Sequence, residues 1–243
     1  MLIKYSNLTF KIGKYQEVII FLIKNINKVK GFSVLPCSLN DLANSQKHKK
    51  IQNKYAEISF CVTDGMPLVW LFKNKFNKQI TRIYGPDLFL SILKKTQGNK
   101  YSHLFFGSSN KTLEKLKIKL SKNFPDLNYL AYISPPTGKK FDKTINNNLS
   151  KIKKTNPKII WLGLSSPKQV ILANKISKLI PNTKIFCVGA AFDIISGNQK
   201  QAPIWMQNNG LEWLFRLLHE PKRLWKRYLL DIPIFLIKKT TKL

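Results

Sequence analysis

The stretch KIIWLGLSSPKQ at residues 158–169 shows the building unit of the chain. Lys158 to Leu162 is a short apolar run rich in β-branched and aromatic residues, as a strand buried on both faces would be, and Gly163 to Gln169 follows with small and turn-forming residues. The same unit recurs on either side. Downstream, Lys184 to Val188 runs into Gly189-Ala190-Ala191-Phe192-Asp193. Upstream, Tyr129 to Ile133 ends in Ser134-Pro135-Pro136, His103 to Phe106 in Gly107-Ser108-Ser109, and Ile58 to Val62 in Thr63-Asp64-Gly65-Met66-Pro67. Ser33 to Leu35 and Leu8 to Ile12 complete seven expected strands. Between them apolar residues fall at helical spacing, as in Val18, Phe21, Leu22 and Ile26, then Leu113, Leu116, Ile118 and Leu120. Alternation of this kind predicts an α/β fold, a mainly parallel sheet with helices on both faces, and ligands bound outside the carboxyl ends of the strands.

Composition bounds what such a fold does. The 243 residues are 44% hydrophobic and 12% aromatic, enough for a substantial core. Lys and Arg number 42 against 12 Asp and Glu, a formal charge of +30, yet only Arg82, Arg216, Arg223 and Arg227 are arginine. The lysines are spread along the chain with many Asn and Ile, as a compositional bias would leave them, so the charge alone does not select nucleic acid over lipid or a phosphorylated ligand. The longest apolar runs, Val18 to Ile23 and Ile232 to Ile237, are far below the roughly 20 residues that span a bilayer. The N-terminus, MLIKYSNLTFKIGK, carries polar residues where a signal peptide has its apolar centre, and a cytosolic location is expected. Cys37, Cys61 and Cys187 lie apart among apolar residues and read as reduced core packing. No P-loop and no GxGxxG fingerprint is present.

The composition changes near Gly210. Leu211 to Leu243 combines eight Lys or Arg with a dense set of aromatic and aliphatic residues. Leu211, Leu214, Phe215 and Leu218 form a helical stripe, and Pro221 is placed to open a second helix. The expected organisation is a core over 1–209 and a basic amphipathic appendage over 210–243, either docked with its lysines in water or lying on a membrane surface.

Few residues qualify for chemistry. No two carboxylates lie closer than seven positions, which excludes an Asp-x-Asp cation site, and His48, His103 and His219 have no metal-ligand spacing. Inside a strand-like run, His103 reads as packed. Asp64 directly follows a strand and precedes a glycine; it can serve as a general base at the mouth of a cleft or cap the helix that begins near Met66. Asp193 has the same two readings. Arg216, Arg223 and Arg227, spaced by seven and four, can share one face and grip phosphate through paired hydrogen bonds that lysine does not reproduce, or they sit on a solvated helix.

In order along the chain, several motifs resemble the WecG/TagA/CpsF family of bacterial glycosyltransferases. They are Thr63-Asp64-Gly65-Met66-Pro67-Leu68-Val69-Trp70, Arg82 with Gly85-Pro86-Asp87-Leu88, Phe106-Gly107, Pro135-Pro136, Gly163-Leu164 with Pro167-Lys168-Gln169, and Val188 to Asp193. Gly210-Leu211-Glu212-Trp213-Leu214-Phe215-Arg216, Glu220-Pro221, Arg223-Leu224 and Arg227-Tyr228 close the series. The resemblance implies a Rossmann-like core, an inverting and metal-independent reaction without cofactor, and a C-terminal appendage that associates with the membrane and completes the active site. A UDP-sugar would be the donor, carrying N-acetylmannosamine, its uronic acid or a related hexose, and an undecaprenyl-diphosphate-linked sugar the acceptor, in cell-surface polysaccharide synthesis.

The same resemblance makes Asp64 the catalytic base, places Ser38 and Asn40 near the donor pocket and Arg82 and Gln169 on its lining, and brings Arg216, Arg223 and Arg227 over the diphosphate. Gly107 and Asp193 lie in matching motifs and stand with the substrate-binding set. The implied location is the inner face of the cytoplasmic membrane, with an anionic surface as partner; a homo-oligomer is compatible with all of this. Two positions depart from the family's pattern: Val170 stands where a glutamate is usual and Gln201 where an arginine is. The rival reading, a basic α/β nucleic-acid-binding protein, accounts for the charge but leaves the arginine spacing and the Asp64 loop without a purpose.

Overall fold

The computed structural model describes residues 1–240 apart from 29, 48, 77, 99, 137 and 138, so His48 lies outside the described residues. The seven expected strands form, and an eighth precedes them. In chain order they are β1 (Leu2–Tyr5), β2 (Leu8–Lys11), β3 (Phe32–Cys37), β4 (Phe60–Thr63), β5 (His103–Gly107), β6 (Tyr129–Ile133), β7 (Ile159–Gly163) and β8 (Lys184–Cys187). They make one sheet in the order β1-β2-β4-β3-β8-β7-β5-β6. Every neighbouring pair is parallel except β1 and β2. That hairpin turns through Ser6 and Asn7, both at positive φ (51° and 63°), the backbone a two-residue loop needs to follow the strand twist. Four residues of alternation, with Leu2 half exposed, give too short a signal to be read as a strand from sequence.

Helices cover both faces, and the alternation of strand side chains shows why. Ile160 and Leu162 of β7 join a core with Leu35, Cys61 and Ile185, while Ile159 and Trp161 point the other way into a core with Val34, Val62, Phe105 and Phe186. On the first face pack α2 (Leu39–Lys47), α3 (Lys49–Ala56), α4 (Met66–Phe76), α7 (Lys139–Thr155) and α8 (Lys168–Leu179). On the second lie α1 (Tyr15–Ile26), α5 (Gly85–Thr96), α6 (Asn110–Asn123) and α9 (Ala191–Ser196). Within α1, Val18, Leu22 and Ile26 are buried, and within α6, Leu113, Leu116 and Leu120. Ile118 departs from that stripe at 70% exposure, because a residue two positions from Leu116 faces the opposite side of a helix. All three cysteines are buried and free.

Past residue 203 the chain is helical: α10 (Ile204–Asn208), α11 (Glu212–His219), α12 (Pro221–Trp225), a π-helical turn over Lys226–Asp231, and α13 (Ile232–Thr240). Pro221 does open a helix. Leu224 is buried, Phe235 packs against the first core, and Lys47 on α2 holds Asp231 at 3.0 Å, so these helices lie over the carboxyl edge of the sheet. The turn between α10 and α11 presses on α4: a Cβ at Gly210, where φ is +70°, would sit 2.6 Å from the Trp70 ring. Leu218, last in its stripe, is 70% exposed at the end of this short helix.

Candidate active site

A cavity of about 1140 Å³ opens at the carboxyl ends of β3, β4, β7 and β8, where the strand order reverses, and residues of α10 to α13 line its other side. Asp64 enters it directly from β4. Its backbone N–H extends the ladder by bonding the Cys37 carbonyl (2.9 Å), so the residue stands at a fixed height above the sheet. Its Oδ1 is buried and accepts no hydrogen bond. Desolvation raises the carboxyl pKa to about 6, opposed by the charges of Arg82 and Arg216 and assisted by Glu212 and Asp41.

Arg82 reaches the same place from the segment between α4 and α5. That segment runs along the end of β4: Thr81 N–H bonds Gly13 O, Ile83 N–H bonds Thr63 O at 2.7 Å, and the Thr63 hydroxyl donates to Thr81 O. The guanidinium is thereby delivered beside Asp64, its Nε 3.8 Å from Oδ1. Nη1 donates to Gln207 (3.2 Å), Nη2 pairs with Glu212, and the plane lies 4.0 Å over the Tyr84 ring. Glu212 also holds Arg216 at 2.8 Å, and Arg216 donates to the Tyr84 hydroxyl at 3.3 Å.

Ser38, Asn40, Gln169, Asp193, Arg223 and Arg227 line the same cavity. Several are already engaged. Ser38 donates through both its N–H and its hydroxyl to Asp41 at the start of α2, and Asp41 in turn accepts from Tyr55. Gln169 ties two loops, its amide oxygen accepting from Gly189 N–H and its nitrogen donating to Ser166. Asp193 accepts from Ser108 and Thr112, which fixes the β5–α6 loop. Arg223 pairs with Glu220, the residue that precedes its own helix, while the buried Nε of Arg227 has no hydrogen-bond partner. Gly107 is not among the lining residues: a Cβ there would meet the Gly163 carbonyl at 2.4 Å, so it serves the close approach of β5 and β7.

Residues 3–242 match the model of the Glycosyl transferase WecG/TagA/CpsF family. The chain belongs to this family. Two curated relatives are N-acetylglucosaminyldiphosphoundecaprenol N-acetyl-beta-D-mannosaminyltransferases. That of Bacillus subtilis (strain 168) is 30% identical over 175 residues, 72% of this chain and 66% of the relative. That of Bacillus spizizenii is 30% identical over 174 residues, 72% of this chain and 65% of the relative. The matched region thus spans just under two thirds of either relative.

Against this family background, Glu212, Tyr84, Gln207 and Asp41 are the site residues that single-residue reasoning passed over. Glu212 and Asp41 sit in the first turns of α11 and α2, where an acid reads as a helix-end preference. Tyr84 reads as apolar filling before α5. The signal for Glu212 was its place beside Leu211 and Trp213 in the closing motif. Among the described residues, no three His, Cys, Asp or Glu side chains come together as a metal site.

Proposed function

We propose that this chain is an inverting, metal-independent glycosyltransferase that moves N-acetylmannosamine, or a close relative of it, from a UDP-sugar to an undecaprenyl-diphosphate-linked N-acetylglucosamine. The observation that carries the reading is an unpartnered, buried Asp64 oxygen in a cavity that also holds all four arginines. The relatives' names supply the sugar and the lipid acceptor.

Asp64 takes the proton from the acceptor hydroxyl as its oxygen forms the new bond to the anomeric carbon. On the opposite face the bond from that carbon to the phosphate oxygen breaks, UDP leaves with the electron pair, and the configuration inverts. With its pKa near 6, Asp64 is ionised at neutral pH yet more basic than an exposed carboxylate, which suits a general base. Charge growing on the departing diphosphate is met by Arg82 and Arg216, with Arg223 and Arg227 beyond them, preorganised in a site of low dielectric. No helix among the described residues is long and apolar enough to cross a membrane. The exposed Trp205, Leu218, Trp225, Leu229 and Ile237, beside Lys222 and Lys226, support docking of the C-terminal helices on the anionic inner face of the cytoplasmic membrane.

The test is incubation of the purified protein with UDP-N-acetylmannosamine and a short-chain lipid-diphosphate N-acetylglucosamine, in the presence and absence of EDTA. Acceptor-dependent UDP release that survives EDTA, with a lipid product heavier by one N-acetylhexosamine residue, is expected. UDP release without any lipid product would overturn the assignment.

A further inference from the structure

The three nitrogens of Arg82 are unequally served. Nη1 and Nη2 bond Gln207 and Glu212, and the plane rests on Tyr84. Nε is buried without a hydrogen bond and faces the equally unpartnered Oδ1 of Asp64 across 3.8 Å. A charge-assisted N–H···O contact closes at about 2.7–2.9 Å, so two desolvated opposite charges stop about 1 Å short of the pair their attraction favours. Glu212, paired with Nη2 of the same guanidinium, is placed to hold them apart. Glu212, with its side chain only 16% exposed, spends one oxygen on Arg82 and the other on Arg216, and Arg216 binds the hydroxyl of the ring under Arg82. Arg82, Glu212, Arg216 and Tyr84 form a closed circuit between two segments of the chain, residues 82–84 and α11.

We infer that Glu212 is a positioning residue that draws Arg82 back from Asp64, leaving the Asp64 carboxylate free to accept a proton while the guanidinium stays beside it for the leaving diphosphate. The inference rests on reading Asp64 as the base. Glutamate is long enough to serve arginines from two elements. An aspartate on α11 is one methylene shorter, keeps Arg216 four residues on as its partner, and releases Arg82. The freed Nε then closes on Asp64 and makes it a weaker base.

The charged and titratable groups facing Asp64 are Arg82, Arg216, Glu212 and Asp41, with Tyr84 and Cys37 beside them. Deleting the Glu212 charge would by itself lower the Asp64 pKa, so the informative variant is Glu212→Asp, which keeps the charge and breaks the bridge. The Asp64 carboxyl is followed by ¹³C NMR, its signal assigned by loss in Asp64→Asn, alongside the pH profile of kcat/KM. In Glu212→Asp the midpoint is expected to fall from about 6 to about 5, with the acidic limb of the profile moving along with it. Gln207→Ala, a neutral release of the same guanidinium, is expected to move both the same way by less. An unchanged Asp64 midpoint in folded Glu212→Asp overturns the inference, and if that variant does not fold, an unchanged midpoint in Gln207→Ala overturns it. Failure of the base reading looks different: the NMR midpoint moves while the rate profile has no limb to follow it.

Discussion

Two polar groups at opposite ends of parallel strands of one sheet are treated in opposite ways. His103, first residue of β5, is fully buried and fully served: its Nε2 bonds the Thr96 carbonyl at 3.0 Å and its Nδ1 accepts from the Trp161 indole at 3.1 Å. Asp64, just past the end of β4, is left with a buried oxygen that nothing bonds, opposite an arginine nitrogen in the same condition. An unmet buried polar atom costs about 1–3 kcal/mol, more when charged, and a fold keeps one only where something else requires it. At the amino end of the sheet the polarity of His103 is closed off as packing; at the carboxyl end that of Asp64 is left unmet at a cavity.

Replacing Asp64 breaks the comparison most severely. Asp64→Asn is expected to lose transfer by about 10²–10⁴-fold. The same change removes a charge that the fold holds against desolvation, so the melting temperature near pH 7 should rise, by about 2–4 °C for each kcal/mol relieved. Acceptor-dependent UDP release and a thermal melt on one preparation read both; a variant that is less stable and only slightly slower would place Asp64 with His103 as packing. Arg216→Ala comes next. It removes one preorganised donor and should lower kcat by about 10²–10³-fold, measured in the same assay at saturating donor.

His103→Leu inverts the pattern. It strands the Trp161 N–H and the Thr96 carbonyl in the core, and an expected loss of roughly 2–4 kcal/mol in urea unfolding should leave kcat of the folded protein within about twofold. A large fall in kcat would mean that the two ends of the sheet are not independent.

Much of this division is legible in the sequence, and its limits are physical. The strand-turn alternation identifies the sheet, its parallel character and the edge that bears the site, because burial on both faces writes continuous apolar runs. Asp64 is visible because it follows such a run, and the arginines are visible because lysine is otherwise the rule. The Arg82–Glu212 link is not: 130 residues separate the two, and each taken alone has an ordinary local explanation. Ser38, which the resemblance places near the donor pocket, lines the cavity and donates its hydroxyl to Asp41, a partner that no local pattern announces. Spacing reports which face a residue occupies; which neighbour arrives from a distant segment is decided by the packing of α10 and α11 over the edge.

The smallest effect is the most specific to the pairing of these two sites. Burial lowers the His103 pKa from 6.5 to about 4, so between those values the unfolded chain holds a proton there that the folded protein refuses, and this group's contribution to stability is lost as pH falls through that window. Burial raises the Asp64 pKa from 3.8 to about 6, so over nearly the same range the folded protein holds the extra proton, and this contribution is lost as pH rises. Each amounts to something on the order of 3 kcal/mol with opposite sign, and in the wild-type protein they largely cancel. Removing either partner should expose the other. Relative to wild type, Asp64→Asn gains stability at pH 6.5 and surrenders that gain on going to pH 4. His103→Leu shows the reverse slope, its deficit against wild type shrinking as the pH falls. Because Glu57 and Glu220, whose pKa values are lowered by their ion pairs, titrate alike in all three proteins, the difference curves from urea unfolding at several pH values isolate the two groups. Parallel curves for wild type and Asp64→Asn would mean that water or an unseen partner already serves Asp64 in the free protein, and the contrast between the two ends of the sheet would be one of degree.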